Sequence, residues 1–369
     1  MERKIYMSSP TVDDSDIVAV TEALRGGWIA PVGPQLDAFE DAVASLAGVD
    51  HAVALASGTA ALELGMRALG VSAGDDVLMP TLTFAATAFA TVHLGANPVF
   101  IDVENRSWGM DPDLLSSVLD VKAHAGTLPA AVVPVDVIGR TADYDRILPI
   151  CEQYGVPVLA DAAESLGATH GSQMAGSMGE AAVFSFNGNK IITSSGGGML
   201  VTSNADLAEK VRFWSTQARA SKPWYEHHEI GHNYRMSNIL AALGHSQLRR
   251  LPQLMARRTQ IHDMYRDHLE PLVEVVGNPP WGRSNNWLTC VMLEEPGKNL
   301  RIQAALADQG IEVRPVWKAM HGQPVFAGAE SHLTGVADDI FASGLCLPSG
   351  VGLTDDDVWR VIEALKATL

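Results

Sequence analysis

Cysteine is scarce. Only Cys151, Cys290 and Cys346 occur in 369 residues, too few and too scattered for a disulfide framework or a thiolate metal site. Positive charge is also short: 26 Lys and Arg against 43 Asp and Glu give a net charge of −17. Such a chain repels polyanions and anionic membranes. Its densest basic stretch, Arg249–Arg250 with Arg257–Arg258 shortly after, reads as an exposed helix face. No apolar run is clean enough to span a bilayer, because His93, Asn97 and Pro98 interrupt the most apolar stretch, Thr83 to Ile101. The opening MERKIYMSSP carries charge with no apolar segment behind it, unlike a secretory signal. Repeats and low-complexity tracts are missing too. These absences predict a cytoplasmic protein that binds neither nucleic acid nor membrane.

What is present is core material. Hydrophobic residues make up 47% of the chain and charged residues 19%. At about 150 residues per domain, this length predicts two domains. Short apolar runs recur at His51–Ala56, Asp76–Pro80, Pro98–Val103, Ala131–Val137, Val156–Ala160, Ala182–Phe186 and Gly198–Thr202. Several are apolar on both faces, as buried strands are. Helical spacing separates many of them: Leu36, Phe39, Val43 and Leu46; Leu62, Met66 and Leu69; and the segment Tyr144–Tyr154. This alternation predicts an α/β fold with a mainly parallel mixed sheet flanked by helices. The pattern changes after Leu251, with helical sequence at Gln253–Leu269, Leu300–Gln309 and Asp355–Leu369 and strand-like pieces at Trp287–Leu293 and Ile311–Pro315. The expected division is an N-terminal arm over 1–14, a large domain over 15–245 and a smaller α+β domain over 250–369.

Three segments carry the chemistry. In Ala56-Ser57-Gly58-Thr59-Ala60-Ala61-Leu62 a strand gives way to a helix, and free N–H groups at a helix start attract anions; a plain Ser57 N-cap is the alternative. In Val156–Glu164, Asp161 follows an apolar strand directly, at the carboxyl end where α/β folds bind ligands, unless it only caps a helix. In Ala182–Lys190 a lysine sits four residues past a strand, ahead of Gly196-Gly197-Gly198; a lone lysine can equally be a solvated charge. A carboxylate, an amine and an anion cradle on one side of a sheet suggest pyridoxal phosphate. The amine would form the Schiff base, the carboxylate would keep the pyridinium protonated, and the helix start would take the phosphate.

With Trp28-Ile29-Ala30-Pro31 and Gly33-Pro34, Asn233-Tyr234-Arg235-Met236-Ser237-Asn238, and Arg314-Pro315-Val316-Trp317-Lys318 with His321 added to these, the chain resembles the DegT/DnrJ/EryC1/StrS family of sugar aminotransferases. The wording Ser-Phe-Asn-Gly-Asn-Lys-Ile-Ile-Thr looks most like the branch that aminates C4 of UDP-linked 4-keto-6-deoxy-N-acetylhexosamines. The resemblance implies a fold type I transferase in which Lys190 is the Schiff-base lysine and proton shuttle. Asp161 would bind the pyridinium nitrogen, and Gly58, Thr59 and Ser185 the phosphate. Phe84 would stack on the cofactor, with core packing as its rival role, and Glu164 would lie near the ring hydroxyl. It further implies a homodimer in which Asn233 reaches the phosphate of the partner subunit's site. Arg235 is implied as ligand to the donor carboxylate, with a buried structural arginine as the rival reading. Asn187, Trp317 and His321 are implied on the sugar-nucleotide side, and Lys318 is a further candidate for its phosphates. L-Glutamate would donate the amine, leaving 2-oxoglutarate and pyridoxamine phosphate, and a nucleotide-linked 4-keto sugar would accept it; C3 amination stays open. The chain departs from the family wording at Asn286-Trp287-Leu288 and at Val135-Asp136-Val137-Ile138-Gly139, positions that bear on substrate choice.

One motif points elsewhere. His228-Glu229-Ile230-Gly231-His232 matches the zinc signature H-E-x-x-H, which needs both histidines on one helical face. Gly231 breaks such a helix, and the preceding Lys222–His227 shows no apolar face, so no metal is expected and zinc hydrolysis is the distant alternative.

Overall fold

A computed structural model describes residues 3–369. Seven strands of the large domain form one sheet: β1 (His51–Leu55), β2 (Asp76–Pro80), β3 (Asn97–Ile101), β4 (Ala131–Val132), β5 (Leu159–Asp161), β6 (Ala181–Ser185) and β7 (Gly198–Thr202). Their spatial order is β1-β7-β6-β5-β4-β2-β3, and the bridges Val132 to Val158 and Val135 to Asp161 join its two halves. All neighbours run parallel except β7, which is antiparallel to both β1 and β6. Side chains alternate across the sheet as the pleat demands. Ala52, Ala54 and Leu78 pack on one face with Leu36, Phe39 and Val43, while Val53, Leu55, Val77 and Met79 pack on the other with Leu62 and Met66. Both faces are covered, which is why these strands read as continuous apolar runs.

Two glycines seat the helix Gly58–Ala68. A Cβ on Gly65 would stand 2.9 Å from Leu200 Cδ1, and one on Gly198 would stand 2.4 Å from the Gly58 nitrogen. The helix therefore lies close on the sheet, with its N-terminus directly over the start of β7.

In the small domain, Glu274–Val275, Thr289–Met292, Gly344–Leu347 and Arg314–Pro315 form an antiparallel sheet in that order. Helices Leu251–Leu269 and Asp355–Lys366 cover it through Ile261, Tyr265, Val358 and Val361. The strand Gly344–Leu347 lies at its centre, although its sequence carries no strand signal distinct from the helix before it.

Contacts cross the expected division at 250 in both directions. Ser331–His332 leaves the small domain to pair in parallel with β3, and Phe326 packs edge-on against Phe100 at 5.3 Å between ring centres. In the other direction the N-terminal arm enters the small domain. Ile5 is fully buried in its core and bridges Ile311. The helix Asp14–Arg25, unforeseen from spacing, packs on Asn238–Arg249. No helix among the described residues is long and apolar enough to cross a membrane.

Candidate active site

Strand ends β5 and β6 open into a cavity of about 480 Å³. Gly58, Thr59, Phe84, Asp161, Glu164, Ser185, Asn187, Lys190 and Trp317 all line it, so the structure gathers most of the residues singled out from sequence. Its other walls include Tyr6–Pro10 of the N-terminal arm, Asn189, Trp287, Glu312 and Arg314.

The Lys190 ammonium donates to Glu164 Oε1 at 3.0 Å, and the other Glu164 oxygen accepts the Ile138 N–H at 2.9 Å. Burial pushes the Glu164 carboxyl above its ordinary value, opposed by the charge of Lys190 and the Ile138 N–H. Asp161 ends β5 with its carboxylate buried. Oδ2 accepts the Thr87 hydroxyl at 2.7 Å, and Oδ1 accepts, among the described residues, only the long Ala163 N–H bond at 3.2 Å. Burial raises this carboxyl too, against the Thr87 hydroxyl, the Ala163 N–H and the charge of Lys190. A desolvated carboxylate of this kind gains from a cationic N–H partner, which would restore its ionised form.

Behind it lies Asp136, fully buried, whose N–H donates to the Asp161 carbonyl at 3.0 Å. Its carboxylate accepts from Ser165 Oγ at 2.6 Å, Tyr144 Oη at 2.9 Å and the Ala142 N–H at 3.0 Å. Burial outweighs these donors and pushes Asp136 up to about 6. A raised acid binds its proton more tightly folded than unfolded, so its stabilising contribution is complete below pH 4 and is lost as pH rises through 6. The cofactor-free variant Asp136→Asn should therefore gain on wild type by up to ~3 kcal/mol between pH 4 and pH 7. Urea unfolding at the two pH values checks this, and parallel pH dependences would refute it.

The anion cradle lies at the helix start. Ser57 Oγ accepts the Ala60 N–H at 3.0 Å, and the Ser57 carbonyl accepts that of Ala61 at 3.1 Å. Among the described residues, this leaves the Gly58 and Thr59 N–H groups free, beside Ser185 at the end of β6. The packing of Ser185 Cβ, 3.2 Å from where a Gly58 Cβ would stand, keeps the two arms of the cradle together. Ser57 caps the helix, and the cap leaves two N–H donors of the kind that suit an anion. Phe84, 60% exposed, presents its ring to the cavity and meets Trp317 edge-on at 6.2 Å; it is not a core residue. Pyridoxal phosphate fits this donor set, with a phosphate site, a buried carboxylate, an aromatic wall and an amine around one cavity.

Three expected contacts are not made. The Arg235 guanidinium is buried against Glu40 and the Ala54 carbonyl and does not line the cavity, so the rival structural role is the one its surroundings support. His321 is turned away, with Nδ1 on Thr81 Oγ1 at 2.7 Å and Nε2 3.3 Å from Asp338. Lys318 is exposed and also lies off the cavity wall. Asn233 is exposed at the surface, its side-chain oxygen accepting from Gln217 at 3.1 Å, and does not line the cavity of its own chain. Sequence reasoning missed Thr87, whose hydroxyl fixes Asp161, and the site roles of Trp287 and Glu312.

The zinc-like motif forms no helix. His228 pairs with Glu226, Glu229 accepts the Trp214 indole N–H at 2.7 Å, and His232 stacks on Tyr234. A Cβ on Gly231 would stand 2.3 Å from the Ala218 nitrogen, so glycine is there for a close chain crossing. No cluster of metal-ligating side chains occurs among the described residues.

Comparison with known proteins identifies the family. Residues 10–366 match the model of the DegT/DnrJ/EryC1/StrS aminotransferase family. The chain is 45% identical to EpsN of Bacillus subtilis, a protein assigned to the pyridoxal phosphate-dependent aminotransferases, over 99% of this chain and 96% of that one. It is 36% identical to the GDP-perosamine synthase of Caulobacter vibrioides, over 99% and 98%. The structure of Helicobacter pylori PseC, an aminotransferase of pseudoaminic acid biosynthesis, superposes with a TM-score of 0.92 at 25% identity, covering 99% of each chain. The chain belongs to the DegT/DnrJ/EryC1/StrS aminotransferase family and is a pyridoxal phosphate-dependent sugar aminotransferase of fold type I.

Proposed function

We propose that the protein moves an amino group from L-glutamate to C4 of a nucleotide-linked 4-keto-6-deoxy sugar, with UDP-4-keto-6-deoxy-GlcNAc as the preferred type. The observation that carries the reading is the convergence of Lys190, Glu164 and Asp161 on one cavity, with a free helix N-terminus beside them. Bound there, the cofactor supplies an electron sink that stabilises the carbanion formed at the donor's or the sugar's reacting carbon. The protein supplies the rest. Gly58, Thr59 and Ser185 hold the phosphate, Phe84 walls the ring, and Asp161 keeps the ring nitrogen protonated. Lys190 anchors the cofactor and, once displaced, moves the proton to and from the reacting carbon. Glu164, 3.0 Å from the lysine, takes part in setting where that proton rests.

The anionic ends of donor and acceptor need a cation. Arg235 is engaged elsewhere, and apart from Lys190 the only cation among the described lining residues is Arg314. Its guanidinium reaches Glu312 Oε1 through Nη2 at 2.7 Å and Nε at 3.1 Å, which leaves further N–H groups for a carboxylate or diphosphate. Asn187 and Trp317 line the same mouth on the sugar side. The working unit is a homodimer. Trp28, Ile29, Ile17 and Val18 are large, apolar and at least half exposed, an area that a second copy would cover. Asn233 stands at the surface, where it would serve the phosphate of the partner subunit's site.

Amine transfer from L-glutamate across UDP-, GDP- and dTDP-linked keto sugars tests the reading. A UDP-linked 4-keto sugar should react best, with the GDP-linked one as first competitor, given the relative named for GDP-perosamine. In the same panel Arg314→Gln should raise KM about tenfold for an anionic substrate while kcat holds. Reaction with a dTDP-linked 3-keto sugar alone would overturn the C4 assignment.

A further inference from the structure

Trp287 is buried at the cavity wall, and its contacts exceed what a core filler needs. Its indole N–H donates to the Asn189 carbonyl at 2.7 Å, the peptide oxygen immediately before Lys190. Its ring face lies 4.3 Å below the Lys190 ammonium. One side chain from the small domain thus holds both the backbone and the charged tip of the lysine on a loop of the large domain.

Trp287 itself is fixed on both sides. Its N–H donates to Asn285 Oδ1 at 2.9 Å, and its carbonyl accepts from the buried Arg258 guanidinium. Arg258 also donates to Ser8 Oγ at 3.2 Å, and Ser8 Oγ in turn donates to the same Asn189 carbonyl at 2.9 Å. The N-terminal arm and the small domain therefore converge on one peptide oxygen.

We propose that Trp287 is a positioning residue for Lys190, and that its ring face and Glu164 form a berth that receives the ammonium whenever the lysine is not bonded to the cofactor. The berth rests on the role given to Lys190 above. An ammonium over an aromatic face and beside a carboxylate is held in place without a covalent bond. A displaced lysine with four rotatable carbons would otherwise be free to wander. Held there, it stays within the cavity for each proton transfer, where small misplacements are costly in rate.

The test separates ring face from bulk. In cofactor-free protein, acetylation of Lys190 by limiting acetic anhydride is followed by peptide mass spectrometry, with exposed Lys318 as internal reference. Trp287→Leu should acetylate Lys190 about three- to thirtyfold faster than wild type, whereas Trp287→Phe, which keeps a ring face, should stay within about twofold. In the holoenzyme, Trp287→Leu should lose kcat about ten- to a hundredfold with KM for both substrates nearly unchanged, and Trp287→Phe should lose clearly less. Should the leucine variant fail to accumulate, Trp287→Met carries the same expectation. Equal acetylation of wild type and the leucine or methionine variant, or a phenylalanine variant as impaired as either, would overturn the berth. A wild type that neither takes up the cofactor nor transaminates would instead overturn the role of Lys190, so the two failures are distinguishable.

Discussion

Lys190→Ala should give a folded, colourless protein whose transamination falls about 10⁴-fold or more, because one substitution removes both the cofactor's anchor and the proton carrier. Wild type should be yellow, absorbing near ~420 nm when the lysine holds the cofactor. The fold should survive because the lysine lines the cavity, where its tip engages Glu164 and Trp287. Once that charge is gone, only the Ile138 N–H is left to oppose the burial that already raises Glu164, so its carboxyl shifts further toward the neutral form. Absorbance, circular dichroism and amine transfer on the same sample check this. A variant that kept the band or the activity would remove Lys190 from its role.

Asp161→Asn is the second large effect, and it acts through charge. The substitution preserves size and can preserve the Thr87 contact. It cannot hold a proton on the ring nitrogen, and loss of one partner from a buried ion pair costs about 3–5 kcal/mol. Activity should fall roughly 10²–10⁴-fold, and cofactor should wash out more readily on dialysis, while Lys190 still forms its bond and the protein remains coloured when cofactor is in excess. Colour with little turnover is the signature that separates this variant from Lys190→Ala. Full activity in Asp161→Asn would show that the carboxylate does not face the ring nitrogen.

The parts of the site that spacing revealed are those tied to a strand end. Asp161 ends β5, Lys190 follows β6, and Gly58 follows the turn after β1. Short apolar runs announce such strands, and the chemistry sits a few residues beyond each. What spacing could not reveal depends on partners distant in the chain. The fate of Arg235 is decided by Glu40, 195 residues earlier. Trp287 acts on the Asn189 carbonyl, 98 residues away, and Thr87 reaches Asp161 across 74. The strand Ser331–His332 spans two residues, too few for any period to register. The zinc-like motif shows the opposite failure: a match in letters without the helix that gives those letters meaning.

That two-residue strand also bears on how the protein is made. One edge of the large sheet is β3, and its cover arrives only when residue 332 has been synthesised. Until then a nascent chain carries an apolar parallel edge with open hydrogen-bonding groups, the kind of surface that recruits other strands. The small domain is completed later still, by Gly344–Leu347 and the helix Asp355–Lys366. Truncation after the large sheet is complete but before Ser331–His332 should therefore yield insoluble material rather than an isolated large domain.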